Sequence, residues 1–177
     1  METKSLETYL NNFGQKVVDD AKANLQSDKG STAVGRSIRF EVVPTDTGFS
    51  TKFYMLDYGE FLDKGVSGNK KKRSFENYKG QTQSSPYSYT NKQPPPGILA
   101  KWISKKGIKG RDKKTGRFIT NLSLAFIIGR KIKRDGIKSL SFFQQPFGIE
   151  YEKLNEEILT ELKLDIETYI TTFYRPK

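Results

Sequence analysis

The sequence contains no cysteine and no histidine among its 177 residues. The absence of cysteine excludes disulfides, thiolate nucleophiles and zinc fingers, and it fits an intracellular protein. The absence of histidine excludes catalysis that uses an imidazole as general acid or base. An enzyme would therefore depend on Asp, Glu, Lys, Tyr or Ser alone. We expect a non-enzymatic protein that uses no cofactor and no metal.

Long apolar runs are missing as well. The chain is 34% hydrophobic with a mean hydropathy of −0.68, and it has no apolar run of the about 18 residues that a membrane span requires. The first residues lack the apolar run that is expected of a signal peptide. No Walker loop, dinucleotide-binding glycine pattern or serine-hydrolase elbow appears in the sequence. Aromatic residues make up 12% of the chain and can fill a modest core. We predict a single α+β domain over residues 1–177.

The net charge of +11 is distributed unevenly along the chain. Residues 64–138 carry 20 basic and 3 acidic side chains, a net charge of +17, whereas residues 1–63 and 139–177 each have a net charge of −3. Such a block is typical of contact with nucleic acid or with an acidic protein surface. The alternative is that the charges only solvate exposed loops.

The first 55 residues have the pattern of a helix followed by a hairpin. An apolar stripe with spacings of three and four predicts a helix over residues 3–27 that packs on a small antiparallel sheet. Gly14 interrupts this helix and suggests a bend or a close contact. Two alternating segments, 37–43 and 49–55, predict the antiparallel pair. The stripe consists of Leu6, Leu10, Phe13, Val17, Ala21 and Leu25.

A short helical turn is predicted over residues 58–64, closed by Gly65. Asp57, Glu60 and Asp63 are spaced three apart and could share a face, which leaves a metal or nuclease site as one interpretation. We favour the other, in which Asp57 caps the turn and the remaining carboxylates are solvated.

Two basic segments are candidate sites for DNA or for clasping a protein partner. Residues 66–96 are predicted to form an extended arm, in which a cluster of cations precedes tyrosines that could stack on bases. The same composition suits a flexible arm that becomes ordered on a partner. Residues 108–118 form a second basic loop, either a hairpin tip or a mobile lobe. The candidate residues are Lys70, Lys71, Lys72, Arg73, Lys109, Arg111, Lys113, Lys114 and Arg117.

Three further helices are predicted from periodicity, over residues 97–106, 121–135 and 149–172. The expected buried positions are Ile98, Leu99, Trp102 and Ile103 in the first, Leu122, Ala125, Phe126, Ile128 and Ile132 in the second, and Tyr151, Leu154, Ile158, Leu162, Ile166 and Tyr169 in the third, with Phe173 just past its end. The only tryptophan is expected to anchor the core, with a ligand platform as the alternative. The residues expected in the core or at interfaces are Tyr58, Phe61, Leu62, Trp102, Phe142 and Phe143.

The order of these segments resembles a known family. Gly-Arg-Ser-Ile at 35–38 opens the first strand, Tyr-Gly-Glu-Phe-Leu-Asp-Lys-Gly at 58–65 follows the second, and Ile-Leu-Ala-Lys-Trp-Ile-Ser-Lys-Lys-Gly-Ile occupies 98–108. Asp-Gly-Ile at 135–137 ends a helix, and Phe-Phe at 142–143 precedes the last one. This order resembles the tail-completion, or neck, proteins of tailed bacteriophages. Asp63 and Gly65 match an acid and a glycine of the family pattern, whereas Val66 replaces its threonine.

The resemblance implies a structural virion subunit in a ring at the head–tail junction. Its partners would be further copies of itself, the portal or head-completion adaptor, the tail proteins and double-stranded DNA in the lumen, with no membrane. A ring is closed by heterologous contacts between copies, and a lumen of Lys and Arg would hold DNA without reading its sequence. The alternative is a stand-alone protein that binds nucleic acid without sequence preference.

Overall fold

A computed structural model describes residues 4–29, 33–46 and 48–173; within these ranges, the side chains of residues 4, 5, 26–29, 155, 156 and 168–173 are not described. The described residues form six helices and four strands, which confirms the predicted α+β class. The helices are α1 (Lys4–Lys29), α2 (Ala33–Ser37), α3 (Gly59–Asp63), α4 (Pro96–Lys105), α5 (Asn121–Asp135) and α6 (Gln144–Phe173). The strands are β1 (Arg39–Thr45), β2 (Gly48–Tyr54), β3 (Ser74–Glu76) and β4 (Thr82–Ser84).

The chain folds into two compact units. The first unit comprises residues 1–59, 76–81 and 141–177, and the second comprises residues 60–75 and 82–140. The second unit contains most of the cationic middle of the sequence. It has 19 basic and 4 acidic side chains, a net charge of +15, whereas the first unit has 12 basic and 16 acidic side chains, a net charge of −4.

The N-terminal helix of the first unit packs on the β1–β2 hairpin, as predicted. The apolar stripe of α1 is buried from Leu10 to Leu25. The hairpin is antiparallel, and Phe40 pairs with Phe53. Gly14 marks a close contact between helix and strand, because a Cβ there would overlap the ring of Phe40. The predicted contact at this glycine is therefore observed, and the missing side chain lets β1 approach α1.

An aromatic cluster fills the core of the first unit. Phe53 of β2 has edge-on contacts with Phe13, Phe143 and Phe147, with ring centroids 5.4 to 6.2 Å apart. Phe142, the neighbour of Phe143 in sequence, is only 1% exposed and is among the largest fully buried side chains. Edge-on packing is favourable for rings with negative faces and positive edges. Phe142 therefore lies in the core, whereas Phe143, which packs against Phe53, is half-buried.

The last helix, α6, begins at Gln144, five residues earlier than the sequence predicted. It packs antiparallel to α1: Asp165 accepts a hydrogen bond from the backbone amide of Leu6 at 3.1 Å, and Glu150 lies 3.9 Å from Lys16. The predicted apolar stripe of α6 is only partly buried, since Tyr151, Leu162 and Ile166 are exposed. Of the other predicted positions, Leu154 and Ile158 are half-buried, and the side chains of Tyr169 and Phe173 lie outside the described residues.

Most of the segment predicted to be an extended arm, residues 66–75 and 82–96, is well structured within the second unit. Val66 pairs with Ile137 in an antiparallel bridge, and Ser67 exchanges backbone hydrogen bonds with Tyr87 and Tyr89 at 2.8 Å. Strands β3 and β4 form a second two-stranded sheet, in which Phe75 is buried. Residues 66–68, at the start of the segment, are buried. Backbone hydrogen bonds tie residues 66 and 67 to residues that lie 20 to 71 positions away.

Helices α4 and α5 form an antiparallel helical pair in the second unit. Asn121 donates a hydrogen bond to Ser104 at one end, and Leu99 approaches Gly129 at the other. Only part of the predicted apolar set is inside: Ile103, Ala125 and, partly, Leu99, Ile128 and Ile132.

The expectation that Trp102 anchors the core is wrong, because its side chain is 45% exposed. Ile98, Leu122 and Phe126 were also predicted inside and are exposed. Two packed helices of 10 and 15 residues bury one narrow face each, and periodicity alone did not show which apolar positions lie outside that face.

Within the described part of the chain, no helix combines the length and apolarity needed to cross a bilayer. The same residues contain no group of three or more carboxylates, cysteines or histidines arranged to hold a metal ion.

Candidate cationic surface

Residues 69–73 lie against the C-terminal end of α5. The backbone amide of Asn69 donates to the carbonyl oxygen of Lys133 at 2.9 Å, and that of Lys70 donates to the carbonyl oxygen of Arg134 at 3.0 Å. The guanidinium Nε of Arg73 donates to the carbonyl oxygen of Asp135 at 2.8 Å. The last carbonyls of a helix have no partner within it, and here the basic segment supplies partners for three of them.

Two glycines allow this approach. Gly68 precedes the basic segment, and a Cβ on it would be 2.5 Å from the backbone nitrogen of Gly136. Gly136 ends α5 with a φ of 72°, in the left-handed region that glycine adopts without strain. The hydroxyl of Ser67 accepts a hydrogen bond from the backbone amide of Arg73 at 2.9 Å and closes the turn.

The contact brings two groups of cations together. Lys70, Lys71 and Lys72 are exposed on the turn and lie near the cations in the last turns of α5. Positive charge in those turns also interacts favourably with the negative end of the helix dipole. We call this group the cationic surface. It consists of Lys70, Lys71, Lys72, Arg130, Lys131 and Arg134.

One carboxylate lies within this group. Arg134 forms an ion pair with Asp135 at 2.8 Å. The hydrogen bonds from Arg134 lower the pKa of Asp135, and the charges of Lys131 and Lys71 lower it further. Asp135, at the end of α5, thus lies among these cations. The excess of cations over the one anion remains available to an anionic ligand.

The role of Arg73 differs from the predicted one, which was contact with DNA or with a protein partner. Its side chain is half-buried and its Nε is bonded to the end of α5. Arg73 thus holds the turn in place, whereas the three lysines before it carry the exposed charge.

The second basic loop lies at the opposite end of α5. Arg111 pairs with Phe118 in an antiparallel bridge, and Asp112 accepts hydrogen bonds from the backbone amides of Lys114 and Thr115. This confirms the predicted hairpin tip. The candidate residues Lys109, Lys113 and Arg117 are exposed with it. Because α5 has 15 residues and a helix rises about 1.5 Å per residue, about 20 Å of helix separates the loop from the cationic surface.

The apolar side chains of the short helix α3 differ in their exposure. Phe61 is exposed and lies edge-on to Tyr87, with ring centroids 4.4 Å apart, and Leu62 is half-buried. The Tyr87 hydroxyl donates to Glu60, and this hydrogen bond lowers the pKa of Glu60 and raises that of Tyr87. Tyr58, in the first unit, is also exposed.

The three carboxylates around α3 are not equivalent. Asp63 is buried, at 2% exposure, whereas Asp57 and Glu60 are exposed. The expectation that Asp63 is solvated is therefore wrong. Its carbonyl oxygen accepts a hydrogen bond from the Ser139 hydroxyl at 2.5 Å, which fits a structural position for this residue.

Sequence reasoning placed Arg130, Lys131 and Arg134 correctly at the end of a helix but did not join them to the candidate site. The joining contacts link residues more than 60 positions apart, such as Asn69 and Lys133. The available signals were the glycines at 68 and 136, which flank the two basic runs.

No family model, no curated protein and no solved structure matches this chain.

Proposed function

We propose that this chain is a structural subunit of the head–tail junction of a tailed phage virion. In this proposal it is a tail-completion, or neck, protein that forms a homo-oligomeric ring. The ring joins the portal or its adaptor to the tail and surrounds the channel through which DNA passes. The protein is assembled in the host cytoplasm, becomes part of the virion and carries no catalytic activity.

The observation that carries the proposal is the cationic surface. Its lysines project from a backbone turn that is fixed to the end of α5, and they are exposed. A fixed, exposed group of cations binds phosphates through charge and does not read base edges. A channel that conducts a whole genome requires contact of this kind, since every sequence must pass.

Exposed apolar side chains on several helices support an oligomer. Ile98 and Trp102 of α4, Leu122 and Phe126 of α5, and Leu159 of α6 are all exposed. Large apolar side chains at the surface of a chain with a low hydrophobic content are typical of contact sites. In this proposal they contact neighbouring copies or the portal and tail proteins.

The test is electron microscopy of the purified chain, alone and mixed with portal complexes from the same virion, together with native mass spectrometry. We expect annular particles in which the second unit faces the lumen. A strict monomer that also ignores portal complexes would contradict the proposal.

A second candidate, a stand-alone nucleic-acid-binding protein, depends on the same cationic surface. It predicts that the isolated monomer binds duplex DNA of any sequence with a steep salt dependence. In the ring proposal, tight binding of DNA requires the oligomer. Measuring DNA affinity above and below the concentration at which the chain assembles separates the two functions.

A further inference from the structure

Helix α4 presents an apolar stripe to solvent. Ile98 and Trp102 are 67% and 45% exposed and lie one turn apart on the same face, while Ile103 on another face is fully buried. The helical periodicity places Lys101 and Lys105 on one side of this stripe and Lys106 on the other. We call Ile98 and Trp102 the α4 stripe. Tryptophan is among the residues most enriched at the energetic centres of protein interfaces.

Helix α6 presents a second exposed stripe. Leu159, Leu162 and Ile166 are 68%, 37% and 42% exposed and have the spacing i, i+3, i+7 of one helix face. A different face of α6 is occupied by α1, since Asp165 binds the backbone of Leu6. We call these three residues the α6 stripe.

The two stripes lie in surroundings of opposite charge. Helix α6 carries seven acidic and two basic side chains, a net charge of −5. Residues 96–135, which include α4 and α5, carry 12 basic and 2 acidic side chains, a net charge of +10. Two copies of either stripe would repel each other, whereas unlike stripes attract, so charge favours pairing between different surfaces.

We propose that the α6 stripe of one copy of this chain docks on the α4 stripe of a second copy. The contact is heterologous, because each copy contributes a different surface. An open assembly therefore keeps one free α4 stripe at one end and one free α6 stripe at the other. Contacts of this type close into rings when the rotation between copies allows it. The inference therefore rests on the proposed ring and names the surfaces that would build it.

The experiment uses two neutral double variants of the full chain. Leu159→Gln/Leu162→Gln replaces two of the three side chains of the α6 stripe, and Ile98→Gln/Trp102→Gln replaces both side chains of the α4 stripe. Glutamine keeps helix preference high. Each variant should weaken self-association about tenfold or more in Kd. The matched controls are Leu164→Gln, on another face of α6, and Ile127→Gln on α5, which replace equally exposed side chains and should assemble as the original chain does.

The decisive measurement mixes the two double variants. Each retains the stripe that the other lacks, so the mixture should form a 1:1 dimer that grows no further, observed by native mass spectrometry or light scattering. Trp102 is the only tryptophan, so its fluorescence can be followed in the original chain. Quenching of this fluorescence by an added solute should decrease on assembly. Raised salt should weaken the association, since it screens the opposite charges.

Three outcomes would overturn the inference: assembly that survives in both double variants, a mixture that stays monomeric, or an original chain that never self-associates because another protein covers Trp102. Circular dichroism and thermal unfolding verify that each variant is folded. Rings that persist in both variants would refute the stripe contact and leave the proposed function intact. Stripe pairing in chains that never join a portal or tail would support the contact and refute the proposed function.

Discussion

Gly68 lies directly against Gly136: a Cβ added to Gly68 would be 2.5 Å from the backbone nitrogen of Gly136. This contact joins the segment that carries the exposed lysines to the end of α5. The cationic surface therefore depends on two residues that have no side chain and no charge.

Gly68→Ala should destabilise the protein by about 2 kcal/mol, because the new methyl group forces backbone atoms apart. Urea unfolding followed by circular dichroism measures the loss. The matched control is Gly97→Ala at the start of α4, where a Cβ would meet nothing within 4 Å and the helix preference of alanine favours the change. Equal stability of Gly68→Ala and the original chain would show that the two backbones are not in close contact.

Replacing Lys70, Lys71 and Lys72 with Gln should weaken binding to duplex DNA equally for all sequences. It should reduce the slope of log K against log salt by about 2 to 3, since roughly one counterion is released per phosphate contact. Fluorescence anisotropy at several salt concentrations measures the slope. The control replaces Lys22, Lys52 and Lys163, three lysines of the first unit, and changes the net charge by the same amount. If both triple variants lose the same affinity for DNA, the affinity depends only on net charge, and the cationic surface is not the DNA-binding site.

Phe142→Ala should cost about 3 to 4 kcal/mol, because it leaves a cavity where one of the largest fully buried side chains was. Phe118→Ala makes the same chemical change at a side chain that is 61% exposed and should cost less than about 1 kcal/mol. Thermal unfolding of both variants tests the difference. Similar melting temperatures for the two would contradict the assignment of Phe142 to the core.

We predict that Tyr9 makes the stability of the folded protein depend on pH in the alkaline range. Burial, together with a hydrogen bond to Glu157 and nearby carboxylates, raises the pKa of Tyr9 from 10.0 to about 12. Because the folded pKa is raised, the stabilisation is fully present below pH 10 and is lost as pH rises from 10 towards 12. In Tyr9→Phe this titration is absent.

The stability advantage of the original chain over Tyr9→Phe should therefore shrink across that pH range, as measured by urea unfolding at a series of pH values. Tyr58→Phe, at an exposed tyrosine, serves as the control. An advantage that is constant with pH would mean that Tyr9 ionises alike in the folded and unfolded chain.

Local features of the fold could be predicted from the sequence because they depend on near neighbours. The bounds of α5 and the β1–β2 pairing follow from periodicity and from flanking turn residues. Gly107 and Gly136 have the positive φ expected of glycines that end helices. Lys70 to Lys72 were recognised as candidate cations from their density alone, and they are exposed.

The sequence by itself determined the α+β class, the order of α1, the β1–β2 hairpin and helices α3 to α6, and the excess of positive charge in the middle of the chain. Only the tertiary structure decided that Trp102 and Phe126 lie at the surface, that Asp63 is buried, and that Asn69 caps a helix end 64 residues away. The reason is physical. Periodicity shows that a helix has an apolar face but does not show how wide the covering neighbour is, and backbone pairing between distant segments leaves no pattern in either segment.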